Sequence, residues 1–194
     1  MSGASEGKST ATREADQPVV GVLLAAGAGT RYGMPKVLAE QGEWLRIAVD
    51  ALHGGGCGDV VVVLGAAVVD VPSPARAVVA ADWALGMGSS LRAGLAAADD
   101  DARYVVLHLV DTPDVGADVI ARVLAAAQSA VSGLARATFG GRPGHPVVIE
   151  RSHIAALTET LHGDEGGRRF LAAHSNVVAV ECGDLATGAD VDVR

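Results

Sequence analysis

The sequence predicts an α/β fold on a mostly parallel sheet, and three observations carry that expectation. Short apolar runs at 19–24, 60–64 and 105–110 are of the kind that forms strands covered on both faces. Helical stretches alternate with the strands along the chain, the order that generates βαβ units. With 49% hydrophobic residues but only 3% aromatic, the core must be assembled from alanine, valine and leucine.

Each element has a local reason. Residues 1–18 are small and polar and read as a flexible tail, which leaves 19–194 as one domain of ordinary size. A strand at 19–25 leads into a glycine-rich loop, then a helix at 44–53, closed by Gly54-Gly55-Gly56, and a strand at 59–65. A short strand at 77–80 passes through Gly86-Met87-Gly88 into a helix at 89–98, where Ser89 or Ser90 is a suitable cap. The strand 104–110, a helix at 116–129 and a strand at 134–139 follow. Residues 140–146, Gly-Gly-Arg-Pro-Gly-His-Pro, read as a turn into a strand at 147–150. Helices at 152–161 and 165–173 and a strand at 177–181 complete the alternation, with no internal repeat.

Composition excludes several classes. No run reaches the roughly 20 apolar residues that span a bilayer, and the first residues lack a hydrophobic signal core, so a cytoplasmic protein without membrane contact is expected. The net charge of −8, without a basic stripe, argues against a nucleic-acid groove. Cys57 and Cys182 read as reduced, buried thiols rather than a metal or redox pair.

The most informative segment is 24–36, Leu-Ala-Ala-Gly-Ala-Gly-Thr-Arg-Tyr-Gly-Met-Pro-Lys, directly after the first apolar run. Gly27, Gly29 and Gly33 let backbone N–H groups turn toward anionic oxygens, and Arg31 and Lys36 supply countercharge. The spacing G-x-G-x-x-x-G followed by Pro35 departs from the dinucleotide fingerprint, although Asp50 lies where a ribose-binding acid would sit. Lys36 is not followed by Ser or Thr, which excludes the P-loop. A small anion such as a triphosphate fits best, and a glycine-rich surface turn is the bland alternative.

Further positions add chemistry. Asp111 follows an apolar strand, and ligands of such sheets gather at the carboxyl ends of strands. On the residues alone it reads equally as a Mg²⁺ ligand and as a turn or cap aspartate before Pro113. Asp114 fits as a cap for the next helix. Residues 86–94 offer hydroxyls and N–H groups at a helix start, suited to an anion or a base edge, or to an ordinary serine cap. His145 stands in the expected turn beside Arg142, where a surface histidine is the plainer reading. His108, in an apolar strand, reads as a hydrogen-bonded core residue, and His53, His153, His162 and His174 as solvated.

Taken in order, Leu-Ala-Ala-Gly-x-Gly-x-Arg-x-Gly-x-Pro-Lys from Leu24, Gly-Met-Gly-Ser-Ser-Leu-Arg-Ala-Gly-Leu from Gly86, Val-Asp-Thr-Pro-Asp-Val from Val110 and Gly-Arg-Pro-Gly-His-Pro-Val from Gly141 resemble the MobA/MocA-like nucleotidyltransferases of molybdenum-cofactor biosynthesis. Gly163-Asp164-Glu165-Gly166-Gly167-Arg168 extends the match. The resemblance implies a three-layer α/β/α sandwich, nucleotide-diphospho-sugar-transferase-like and Rossmann-like. It places Leu24, Ala25, Ala26 and Gly27 at base and sugar, with Gly29 in the same loop. Arg31 and Lys36 fall at the phosphates, Ser90 at the nucleotide and Asp111 at Mg²⁺. A second metal carboxylate is implied near the C-terminus, where this chain reads Asp190-Val191-Asp192 and lacks the Thr-Pro-Glu-Asp that follows in the family. Alternate residues of an extended segment face opposite sides, so one aspartate is expected at the metal, and Asp192 is assigned.

The chemistry so implied joins a nucleoside monophosphate to a phosphorylated acceptor and releases pyrophosphate. The acceptor phosphate is already anionic, so placement and charge neutralisation suffice without a strong general base. Ala26 resembles the cytidylyl rather than the guanylyl branch, which points to CTP over GTP. Molybdopterin is the implied acceptor, met by His145 and Arg142, with a molybdoenzyme or its chaperone as protein partner. A sugar-phosphate, polyol-phosphate or phospholactate acceptor, or a non-catalytic nucleotide- or cofactor-binding module, is the alternative.

Overall fold

A computed structural model describes residues 18–192; all but the last residue of the expected tail, with Val193 and Arg194, lies outside the described residues. Seven strands form one sheet: β1 (Val19–Leu24), β2 (Asp59–Leu64), β3 (Arg76–Val79), β4 (Tyr104–Leu109), β5 (Leu134–Phe139), β6 (Arg142–Glu150) and β7 (Val178–Glu181). Their order is β3-β2-β1-β4-β6-β5-β7. Every pairing is parallel except those of β6, which runs antiparallel to both β4 and β5. The fold is the expected α/β with a mostly parallel sheet.

Five α-helices cover it: α1 (Glu43–Gly54), α2 (Met87–Ala97), α3 (Ala117–Ser129), α4 (Ile154–Thr160) and α5 (Arg168–Ala173). Alternating residues of the strands feed two cores. Leu23, Val60, Val62 and Val106 pack with α1 and α3 residues such as Leu45, Leu52, Ile120 and Val123 on one face. Val22, Val61, Val63 and Leu107 pack with Leu91 and Leu95 of α2, Leu157 of α4 and Phe170 of α5 on the other. The result is three layers, and the strands are apolar on both faces because helices exclude water from both. Gly94 lets α2 lie against the sheet: a Cβ there would stand 2.6 Å from Val22 Cγ1 and 2.8 Å from Val63 Cγ2.

The central strands β1 and β4 are neighbours, yet the chain leaves β1 toward β2 and β4 toward the β5–β6 side. Connections diverging in this way open a crevice beyond the strand ends, where the glycine loop and Asp111 both emerge.

Several local expectations are corrected. Only Gly140 and Gly141, at φ +57° and +76°, form the turn after β5, whereas 142–146 are already strand, so His145 sits in β6 rather than in a turn. Pairing of Arg142 and Pro143 with β5, continued by Val147 onward with both β5 and β4, overrides the turn signal of Pro and Gly there. Gly86, not a serine, precedes α2, and Ser89 Oγ donates back to the carbonyls of Asp82 and Gly86. Asp114 does not cap α3; its carboxylate accepts from the backbone N–H groups of Thr187 and Gly188 and from Thr187 Oγ1. The helices expected at 152–161 and 165–173 are shorter, each preceded by a 3₁₀ turn. His153 and His174 are packed around Phe170 rather than solvated, with hydrogen bonds to Ser132 O and Phe170 O.

Candidate active site

The glycine loop is shaped by steric necessity. Gly29 stands at φ +61°, and a Cβ there would lie 1.9 Å from the carbonyl oxygen of Met34. The N–H of Gly33 closes the turn by donating to Gly29 O at 2.8 Å. Tyr32 is buried against Trp44 of α1, ring centroids 5.3 Å apart, which pins the far side of the loop to the core. At Gly27 a Cβ would meet nothing within 4 Å, so that position opens onto free space.

Lys36, just after the loop, is the electrostatic centre. Its Nζ donates to Asp111 Oδ2 at 2.9 Å and to Asp192 Oδ1 at 2.8 Å. Arg31 Nη1 donates to Asp192 Oδ2 at 3.1 Å. The Lys36 side chain is 14% exposed and that of Arg31 82%, so lysine is the enclosed charge of the cluster and arginine the solvent-facing one. Burial pulls the lysine pKa down, but hydrogen bonds to Asp192 and Asp111 outweigh it and the net shift is upward. The same hydrogen bond from Lys36 holds Asp192 below the usual carboxylate range. Asp190 moves the other way, raised by burial and by the negative charges of Asp111 and Asp192.

The end of the chain is brought here by its backbone. Val191 N donates to Asp111 O at 3.0 Å, which places Asp192 beside Lys36. Asp111 Oδ1, by contrast, is buried and has no hydrogen-bond partner among the described residues. An orphaned carboxylate oxygen beside a second carboxylate is a donor set that suits a hard divalent cation, which takes its other ligands from water and phosphate. No group of three acidic, histidine or cysteine residues forms a ready metal cage among the described residues.

A cleft of about 410 Å³ collects these groups. Leu24, Ala25, Ala26, Gly27, Gly29, Arg31, Lys36, Ser90, Asp111 and Asp192 all line it. Ser90 is 5% exposed, and its hydroxyl has no protein partner among the described residues. His145 does not line this cleft; it belongs to an adjoining cavity of about 860 Å³, which shares Leu24, Leu109, Met87, Asp164 and Asp192 with the first. Burial and the neighbouring Arg136 push His145 down to about 4, so the ring is neutral at neutral pH. His108 is buried as expected, but neither ring nitrogen has a hydrogen-bond partner among the described residues, which corrects the hydrogen-bonded reading.

Comparison with known proteins now bears on these motifs. Residues 21–177 match the MobA-like NTP transferase domain. The chain belongs to the MobA-like NTP transferase family. Nicotine blue oxidoreductase from Paenarthrobacter nicotinovorans is 39% identical over 188 residues, covering 90% of this chain and 92% of that protein. Among solved structures, Rv0371c from Mycobacterium tuberculosis H37Rv aligns at 25% identity with a TM-score of 0.72, covering 91% and 94% of the two chains. Its complex with manganese aligns at a TM-score of 0.68, with 24% identity and coverage of 90% and 94%. A nucleotidyl transferase from Methanothermobacter thermautotroptrophicus shares the fold at 17% identity and a TM-score of 0.73, covering 92% and 93%.

Sequence reasoning overlooked three groups of this MobA-like chain. Trp83 and Asp164 line the first cleft, and Arg136 lines the second cavity. Arg136 alone carried a usable signal, a charge set between the buried Ala135 and Ala137 of β5.

Proposed function

We propose that the chain is a divalent-metal-dependent nucleotidyltransferase using Mg²⁺, with CTP preferred over GTP, and that its phosphorylated acceptor enters by the second cavity. The observation that carries this reading is the Asp111–Lys36–Asp192 cluster in the first cleft, whose Asp192 also lines the second cavity, beside a glycine-rich loop. Molybdopterin is the acceptor favoured by the family motifs, with sugar and polyol phosphates the alternatives.

Asp111 and Asp192 would hold the cation, which supplies neutralisation of phosphate charge when bound. The loop N–H groups orient the triphosphate, and Lys36 faces the oxygens that gain charge as transfer proceeds. Arg31, the exposed cation of the cleft, pairs with the outer phosphates. An oxygen of the acceptor phosphate forms a bond to the α-phosphorus, the bond to the bridging oxygen breaks, and pyrophosphate departs. Neutral His145 donates or accepts a hydrogen bond to the acceptor without adding charge.

A second reading is supported by the 39% identical relative, which is named an oxidoreductase. In that reading the same loop holds the pyrophosphate of a dinucleotide and the second cavity takes an oxidisable or reducible small molecule. One calorimetric titration separates the two: CTP, GTP, ATP, UTP and NADPH, each with and without Mg²⁺. Tight binding of CTP only with Mg²⁺, followed by pyrophosphate release with molybdopterin, is the expected result. Metal-independent binding of NADPH above every triphosphate would overturn it.

A further inference from the structure

Eleven arginines lie among the described residues, and eight of them are held by protein acceptors. The other three, Arg136, Arg142 and Arg168, have no hydrogen bond or ion pair to protein, and all three line the second cavity. None of them lines the nucleotide cleft. Arg136 is the most informative, because its Nε is buried without a partner. A guanidinium stays charged in any protein, so a buried unsatisfied donor on it has a steep cost unless something else supplies the acceptor.

The protein has carboxylates nearby and does not use them here. Of those lining the same cavity, Asp192 is committed to Lys36 and Arg31, Glu165 to Arg169 at 3.6 Å, and Asp164 accepts from Met87 N at 3.4 Å. Asp190 also lines the cavity and makes no ion pair with an arginine among the described residues. Burial pulls the Arg136 pKa down, and the charge of Arg168 adds to that pull, which shows these two guanidinium groups near each other. The same cavity also has an apolar lining, with Leu107, Phe139, Val147, Ile149 and Leu171.

We propose that Arg136, Arg142 and Arg168 bind an oxyanion of the acceptor, phosphate or carboxylate, at the end remote from the bond being made. The acceptor is then a small molecule with two separated functions, a nucleophilic group at the Lys36 cluster and an anchoring anion at the arginines, joined by an apolar body. Its orientation follows from the polarity of the cavity, since an anion is drawn to the guanidinium groups that lack a protein partner among the described residues. The proposal rests on the nucleotide occupying the first cleft, but its test does not.

Phenyl phosphate and benzoate serve as probes, each an oxyanion on an apolar ring. Titration calorimetry, with the Arg136 Nε–Hε resonance followed by NMR, should show one of them binding and shifting that resonance. Arg136→Gln and Arg168→Gln should each weaken the better probe by about tenfold or more, the scale of one charge-assisted hydrogen bond. Arg169→Gln, an arginine already paired with Glu165, should leave it unchanged. Arg142→Gln, at an exposed position, gives a reading free of folding effects, and thermal melts check the other variants. The probe that binds distinguishes phosphate from carboxylate. Failure of both probes to bind the wild type, or equal weakening by Arg136→Gln and Arg169→Gln, overturns the proposal. Displacement of the probe by CTP would assign the arginines to the nucleotide instead. A wild type that binds the probe through these arginines but binds no triphosphate refutes the nucleotide reading and leaves the anion site standing.

Discussion

Lys36 is the residue on which the site turns, because it is the one cation that touches both Asp111 and Asp192. Lys36→Ala and Asp111→Ala are each expected to lower turnover by about a hundredfold or more, the usual effect of losing one preorganised charge. Lys36→Arg should not restore it, since the planar fork of arginine cannot place a compact charge between two carboxylates. Single-turnover pyrophosphate release measures all three, and near-normal rates in Asp111→Ala would remove the metal assignment. The sequence exposed Lys36 and Asp111 because each stands at a strand or loop end next to a break in the apolar pattern. It could not expose the meeting of Asp192 with Lys36, which depends on backbone Val191 bonding to Asp111 O from 80 positions away.

Among the elements, the β5–β6 hairpin shows where local signals fail. Arg-Pro-Gly-His-Pro has the composition of a turn, but Arg142 and Pro143 pair with Phe139 and Thr138 of β5 and the segment runs on as strand into Val147, so the true turn is the Gly140–Gly141 pair. Glu181 of β7 stabilises that turn. Its carboxylate accepts from the N–H groups of Gly140, Gly141 and Gly183 and from Thr138 Oγ1. Hydrogen bonds from Gly141 and then Gly140 lead in holding it down at about 2, so the clamp survives to low pH. Glu181→Ala should raise KM for the acceptor, leave the Kd for the nucleotide unchanged, and lower Tm by a few degrees; initial rates at varied acceptor read the first. A rise in the nucleotide Kd of equal size would place the hairpin outside the acceptor half. The long strands and α1, α2 and α3 were legible because their apolar spacing is decided by burial alone, whereas α4 and α5 are too short for periodicity to mark their ends.

For the whole molecule, acid stability follows from two buried histidines. Burial, with His145 nearby, holds His108 at about 3, and burial with Arg136 nearby holds His145 at about 4. Both are neutral in the folded chain, and each returns toward 6.5 on unfolding. The unfolded chain therefore binds more protons below about 6.5, so stability is flat above that pH and falls as pH drops from about 6.5 toward 3. Urea denaturation across that range should show it, and His108→Leu should flatten the slope and raise stability at pH 5 by about 1 kcal/mol through loss of two unsatisfied nitrogens. An unchanged slope in that variant would assign the proton uptake elsewhere. The layered sheet was legible as a whole, but the reversal of β6 was not, because an apolar strand carries no mark of its direction. That reversal has a consequence for how the molecule can change. A strand running backwards begins at the edge where its neighbours end, so Arg136, Phe139, Arg142 and His145 of one hairpin reach the second cavity, separate in sequence from the glycine loop. Exchanging that hairpin would reshape one wall of the second cavity and leave the glycine loop and its cleft untouched.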